Sequence, residues 1–313
     1  MTQRLAAGID IGGTNTVFGL IGENGKILDS SSVKTTDYSD PFELTQVVSQ
    51  KLLSMVPAGY RLEGAGIGAP NGNFYTGNIE FAPNLKWKGI VPLATYFSEA
   101  LHCKAILTND ANAAALGEMI FGGARGMKNF LFITLGTGLG SGIVVNGEIV
   151  YGHDGFAGEV GHVITIPGGR LCGCGRRGCV EMYCSATGIK KTYLEKKNSS
   201  DPDNKINSQA IFEKAKEGEK EAIEAFEYTG EILGMILANS VLYTSPEAIF
   251  LFGGLAQSGD LIFDPTRKSF EENLLNIYKG KIELLPSRLK ENDAALLGAA
   301  SLIWKDLARA EII

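Results

Sequence analysis

"IDIGGTNTVFGLIGENGKIL" (residues 9–28) and "ITLGTGLGSGIVVNGEIV" (residues 133–150) present the same features in the same order. Each begins with a short apolar strand, passes through a Gly/Thr-rich turn into a second apolar strand, and reaches an Asn-Gly step before a third. Asn-Gly between apolar runs predicts a type I′ hairpin, whose two central residues both need positive φ. The likeness between the stretches is weak residue by residue, yet the shared order predicts two related halves, each opening on a glycine-turned hairpin. Small residues at such turns let backbone N–H groups approach an anion, so both turns are candidate phosphate loops. "GTGLG" (136–140) is not a dinucleotide fingerprint, because that motif opens a helix and here "SGIVVNGEIV" continues as strand, turn and strand.

Around these stretches the chain reads as α/β. "PFELTQVVSQKLLSMV" (41–56) has helical periodicity behind Pro41, and "GAGIGAP" (64–70) reads as a buried strand ending in a turn. Residues 71–90 read as a Gly- and Asn-rich loop, 91–101 as a helix, 104–110 as a strand and 111–122 as an alanine-rich helix. Residues 185–195 and 208–243 are helix-rich on either side of the polar stretch 196–205. "EAIFLFGG" (247–254) is a strand ending in paired glycines, and 292–310 is a closing helix capped by Asn292 or Asp293. Strands alternating with helices place the chain in the α/β class. "LTNDANAAA" sets Asn109 and Asp110 where a strand hands over to a helix, the usual place for ligands in open α/β sheets. Asp110 there is either a helix N-cap or a general base, with Asn109 an orienting amide.

The chain has 313 residues, 44% hydrophobic and 20% charged, a globular composition with length for two domains. Its 29 Lys and Arg against 35 Asp and Glu leave a net charge of −6, which argues against a nucleic-acid surface. The Arg176–Arg177 pair is too short to reverse this and reads as a solvated loop. No apolar run is long enough to span a bilayer, and "MTQRLAAGIDIGG" lacks a signal-peptide pattern, so a cytoplasmic location without membrane partners is expected. In a reducing compartment, and with five cysteines, a full disulfide framework is disfavoured. "GRLCGCGRRGC" (169–179) nevertheless packs Cys172, Cys174 and Cys179 into eight positions. Redox chemistry, a catalytic metal and a structural metal all remain open from the pattern alone. Cys103 and Cys184 read as packing thiols, and His102 and His153 as surface or packing residues.

"DIGGTNT" (10–16), "TNDANAAALGE" (108–118), "LGTGLGSGIV" (135–144), "AGEVGH" (157–162) and "CGCGRRGCVE" (172–181) occur in the order seen in ROK-family sugar kinases, and the chain resembles that family over nearly its whole length. "GAP…APNLKW" (68–87) and "CSATG" (184–188) look most like its bacterial glucokinase branch. The resemblance implies an actin-like, hexokinase-type two-domain ATPase fold with a central cleft and a zinc-binding loop. The first domain would span 1–118 and be completed by a helix over 293–313; the second would span 119–292.

The implied activity is ATP-dependent phosphorylation of a hexose, D-glucose foremost, at the 6-hydroxyl. N-acetylmannosamine or N-acetylglucosamine kinases are the near alternative. A sugar-responsive transcriptional regulator is the distant one, with no room expected for its helix-turn-helix domain. By the same resemblance His162, Cys172, Cys174 and Cys179 match structural Zn²⁺ ligands, a Cys3His set suited to a tetrahedron. Asp110 would be the catalytic base. Asn109, Glu159, His162, Glu181, Asn84 and the segment around Asn71 and Gly72 would contact the sugar. Asp10, Gly12, Gly13 and Thr14 would form the first phosphate loop, with Asp10 serving Mg²⁺. Gly136, Thr137 and Gly138 would form the second, and Gly253 and Gly254 the adenosine-side turn. A homo-oligomer, dimer or tetramer, follows from the resemblance alone.

Overall fold

The first glycine-turned stretch forms β1 (Gln3–Ile11), β2 (Asn15–Gly22) and β3 (Ile27–Lys34), successive antiparallel neighbours in a computed structural model that describes residues 3–198 and 205–311. Six residues of the polar stretch 196–205 lie outside the described residues. The turn at Asn24-Gly25 differs from expectation. Gly25 has φ 79° but Asn24 is not among the residues with positive φ, so the turn is not type I′. Gly25 N–H donates to the Gly22 carbonyl, and the Asn24 side chain accepts from Lys26 N–H. That is a longer loop with one left-handed glycine, and the register shift at Leu20/Ile21 absorbs its extra residue.

Pro41 begins α1 (Pro41–Met55), capped by Asp40, whose carboxylate accepts from Phe42 N–H at 2.9 Å. Strand β4 (Tyr60–Gly68) lies parallel to β1. The expected loop over 71–90 holds a two-stranded ribbon, β5 (Ile79–Glu80) with β6 (Ile90–Val91), because Ile79 and Val91 pair and are buried. Helix α2 (Leu93–Leu101), strand β7 (Lys104–Thr108) and helix α3 (Asp110–Phe121) follow. The first sheet has the order β3-β2-β1-β4-β7.

The second stretch repeats this plan. Strands β8 (Phe130–Leu135), β9 (Leu139–Val145) and β10 (Glu148–Ile149) precede a mainly helical segment: α4 (Glu181–Cys184), α5 (Ala186–Lys196), α6 (Ser208–Lys216) and α7 (Lys220–Thr244). Strand β11 (Ala248–Phe252), helix α8 (Asp260–Asn273) and strand β12 (Glu283–Pro286) complete a sheet of order β10-β9-β8-β11-β12, with β11 parallel to both neighbours. Here the Asn-Gly turn is as expected, with Asn146 at φ 54° and Gly147 at φ 76°. Helix α9 (Glu291–Ala310) closes the chain. Its N-cap is Lys290, without a side-chain cap, not Asn292 or Asp293 as expected. Asp293 lies inside the first turn, where the positive end of the helix dipole favours it, and the Asn292 side chain is outside the described residues.

Two compact units result. One runs to Gly126, takes in Ile149–Ala157 and resumes at Arg288; the other comprises Met127–Glu148 and Gly158–Ser287. Each has its own core: Phe18, Leu44, Val48, Ile67 and Phe97 in the first, and Leu131, Phe226, Leu237, Leu251 and Phe270 in the second. No described helix is long and apolar enough to cross a membrane.

In the first unit α9 packs on β1, β4 and α3. It comes so close that a Cβ built at Gly66 of β4 would collide with the Ala299 carbonyl of the helix. Gly66→Ala should therefore force the helix off the sheet and destabilise the protein by about 1–3 kcal/mol. Thermal unfolding checks this; a midpoint within about one degree of the parent's would contradict the packing.

Candidate functional site

Strand register assembles the first half of the site. Asp10, the penultimate residue of β1, pairs across the sheet with Gly68 of β4, and Gly68 pairs with Thr108 of β7. Three strand ends thus lie in a row, and Asp110 follows two residues past Thr108 as the first residue of α3. Gly68 lies between the two acids: a Cβ there would be 3.6 Å from Asp10 Oδ1 and 3.7 Å from Asp110 Cα. Asp10 is half-buried, and burial first, then the Asp110 charge, raises its carboxyl to about 7. Asp110 is exposed, yet desolvation by the surrounding protein raises its carboxyl also. The Ala111 N–H partly offsets that.

The cap reading of Asp110 is corrected: Asn109 is the N-cap, its Oδ1 accepting from Ala111 N–H at 2.9 Å, and Asp110 Oδ1 accepts from the same N–H at 2.8 Å. An extended strand end supplies the β-region backbone that an N-cap needs, so the cap falls one residue earlier.

The other expected residues of this unit surround these. The turn Gly12–Thr14 is closed by Gly12 N–H on the Asn15 carbonyl at 2.9 Å, and Thr14 is exposed. The carbonyl of Asn84, an exposed residue, backs onto Gly13, where a Cβ would come within 2.7 Å. Gly72 abuts the Thr108 carbonyl. Asn71 adopts φ 51°, and its amide donates to the Glu80 carbonyl at 3.0 Å, so its side chain holds the β5 loop in place.

In the second unit the turn Gly136–Thr137–Gly138 joins β8 to β9, with Gly136 N–H donating to the Gly138 carbonyl. The start of α5 docks on it: Ala186 N–H donates to the Gly136 carbonyl at 2.8 Å, and Thr187 Oγ1 to the Thr137 carbonyl at 2.9 Å. Gly253 and Gly254 follow β11, and Leu255 N–H reaches the Leu135 carbonyl at 3.2 Å. Two glycine turns more than a hundred residues apart thus sit side by side at the ends of paired strands β8 and β11.

His162, Cys172, Cys174 and Cys179 come together, all four ligand atoms within 4.8 Å of one another. Cys172 Sγ is 3.7 Å from His162 Nδ1, and Cys174 Sγ is 3.6 Å from Cys179 Sγ. A Zn–S bond of about 2.3 Å gives a tetrahedron an edge of about 3.8 Å, so the spacing suits a four-coordinate ion. Burial pushes the Cys172 thiol up to about 12, while Arg176 N–H lowers Cys174 to about 6.

His162 ends a short 3-10 turn, Val160–His162, and its Nε2 lies 4.0 Å from Glu159 Oε2. Glu181 reaches two ways: Oε1 lies 3.7 Å from Cys172 Sγ, and Oε2 accepts from Leu139 N–H at 3.1 Å, against Gly138. Two contributors escaped the sequence reading. Arg176, read as solvated, is exposed but donates to the His162 carbonyl at 2.9 Å. Ser141 Oγ binds the Gly158 carbonyl and accepts from Val160 N–H, holding the backbone on both sides of Glu159. A lone serine in an apolar strand carries no pattern that would announce this.

Comparison with known proteins bears on the family and the fold. The ROK family profile matches residues 6–306. A glucokinase of Thermotoga maritima is 33% identical over 307 residues, covering 95% of this chain and 96% of its own. A ROK-family glucokinase of Streptomyces griseus, solved with glucose and AMPPNP, is 32% identical with a TM-score of 0.79, covering 95% of this chain and 98% of that one. A ROK hexokinase of Thermus thermophilus is 27% identical with a TM-score of 0.84, covering 97% and 99%. With a family match across nearly all of its length and the same two-sheet architecture, the chain belongs to the ROK family.

Proposed function

We propose that this chain is an ATP-dependent sugar kinase that phosphorylates D-glucose at its 6-hydroxyl. The observation that carries the reading is the acid pair at aligned strand ends, Asp10 and Asp110, in a chain about one-third identical to glucokinases over most of its length. Asp110 is the base. One of its oxygens is engaged by Ala111 N–H, leaving the other for the proton of the acceptor hydroxyl, and its raised carboxyl makes it the stronger acceptor.

Asp10 suits a divalent cation, since two carboxylates in partial burial repel each other until a positive charge is placed beside them. Bound Mg²⁺ would supply charge neutralisation on the phosphates. The turns Gly12–Thr14 and Gly136–Gly138 are the anion loops, and Gly253–Gly254 lies beside the adenosine. Asn71, Gly72, Asn84, Asn109, Asp110, Glu159, His162 and Glu181 would be the acceptor-binding groups.

The thiol cluster is the site for a structural Zn²⁺. Four protein ligands would leave a bound ion no open coordination position, and His162, with Nδ1 beside Cys172 Sγ, turns Nε2 toward Glu159. A bound ion would supply order to His162 and Glu181.

A coupled ADP-release assay over glucose, mannose, fructose and the N-acetylated hexosamines tests the substrate assignment, with glucose expected to give the highest kcat/KM. Asp110→Ala is expected to lower kcat by about 10²–10⁴-fold while glucose still binds; parental turnover would refute the base. Cys174→Ser is expected to lose zinc and glucose affinity together, measured by metal analysis and calorimetry; loss of metal with undiminished affinity would separate the two.

The Asp10 carboxyl, raised in the folded protein, favours folding below its unfolded value of about 4, and that contribution is lost as pH rises through about 7. Asp10→Asn should therefore gain stability relative to the parent between those values. Thermal midpoints measured against pH check it, and parallel curves would contradict the raised carboxyl.

A further inference from the structure

The loop that carries the thiols is fixed by a residue outside the ligand set. Arg170 lies two positions before Cys172, and its side chain is 12% exposed. Its guanidinium is fully employed. Nε donates to Glu195 Oε1 at 3.0 Å and Nη2 to Glu195 Oε2 at 2.5 Å. Nη1 donates to the Met182 carbonyl at 2.7 Å and the Gly188 carbonyl at 3.2 Å, and Nη2 also reaches Thr192 Oγ1 at 2.9 Å. The same guanidinium lies 4.5 Å from the centre of the Tyr183 ring, whose hydroxyl accepts from Arg170 N–H at 2.9 Å. These partners span α4 and α5. A planar five-donor fork meets the Met182 carbonyl of α4 and the Gly188 carbonyl of α5 at once.

The first residues of α5 are the ones that hold the carbonyls of Gly136 and Thr137, and the first residue of α4 is Glu181, which accepts from Leu139 N–H. Arg170 therefore grips, from the cysteine loop, the two helices whose N-terminal ends hold the second glycine turn. We infer that Arg170 is a positioning residue that ties the cysteine loop to the Gly136–Gly138 turn, so that nucleotide affinity depends on a side chain that touches neither metal nor nucleotide. The inference rests on the proposed phosphate role of that turn. Its physical basis is rigidity: a turn docked by two hydrogen bonds keeps its amides aimed only while the helix beneath it keeps its position.

The test measures the Kd of AMPPNP with Mg²⁺ by calorimetry on full-length protein with zinc content determined. Arg170→Lys keeps the charge but loses the fork, and is expected to weaken AMPPNP by about 3- to 30-fold at one zinc per chain. Glu195→Gln, which alters only an exposed partner, should weaken it by about 2- to 5-fold and serves if Arg170→Lys does not fold. A merely structural role would lower the yield of folded protein and leave the Kd of the folded fraction unchanged. An unchanged Kd in a folded, zinc-replete variant, or in both, overturns the inference, as does a parent protein that binds no AMPPNP. Hexose turnover is recorded separately on the parent. Nucleotide binding without turnover would defeat the kinase reading and leave the coupling to be judged by the Kd.

Discussion

The arrangement of the first unit depends on one constraint, the alignment of three strand ends. Asp10, Gly68 and Thr108 share a row because β1, β4 and β7 are parallel and in register. A shift of one residue in the pairing of β1 with β4 would turn the Asp10 side chain to the opposite face of the sheet, since strand side chains alternate. The register is held from behind. Helix α9 approaches β1 and β4 where Gly8 and Gly66 offer no side chain, so the helix backbone occupies the space that side chains would fill. Packing on one side of the sheet thereby sets where the two carboxylates stand at its edge. The cost is electrostatic: desolvation raises both carboxyls, and the Asp110 charge raises that of Asp10 further.

The second unit uses the same strand order for a different purpose. It places no acid on the strand corresponding to β1; it offers paired glycine turns at the ends of β8 and β11, and a loop of thiols. Glu181 stands where these meet, one oxygen toward Cys172 and the other on Leu139 N–H. A carboxylate in that position transmits the geometry of the cluster to the turn. Arg170 does the same from the other side of α4. The polar density here is high, and it is satisfied: the Arg170 donors all meet oxygen, which is the condition under which a shielded charge orders its surroundings instead of destabilising them.

The sequence by itself determined the α/β class, the two glycine-turned halves, the strand-to-helix junction at Asn109–Asp110 and the group of thiols, because each is written in local pattern: alternation, turn residues and close spacing. The family resemblance added roles to these residues and drew in His162, ten positions from the nearest cysteine. Tertiary structure alone decided the rest. Whether Asn109 or Asp110 capped α3 depended on where β7 ended. Whether Asn24-Gly25 formed the same turn as Asn146-Gly147 depended on the register of β2 against β3, since an identical dipeptide takes the conformation its flanking strands permit. The approach of Gly253 to Leu135, the reach of Glu181 and the grip of Arg170 join residues far apart or unmarked in the chain. Local sequence has no term for such contacts; they exist because sheets bring distant strand ends side by side and packing brings a shielded guanidinium to the carbonyl, carboxylate and hydroxyl oxygens of neighbouring helices.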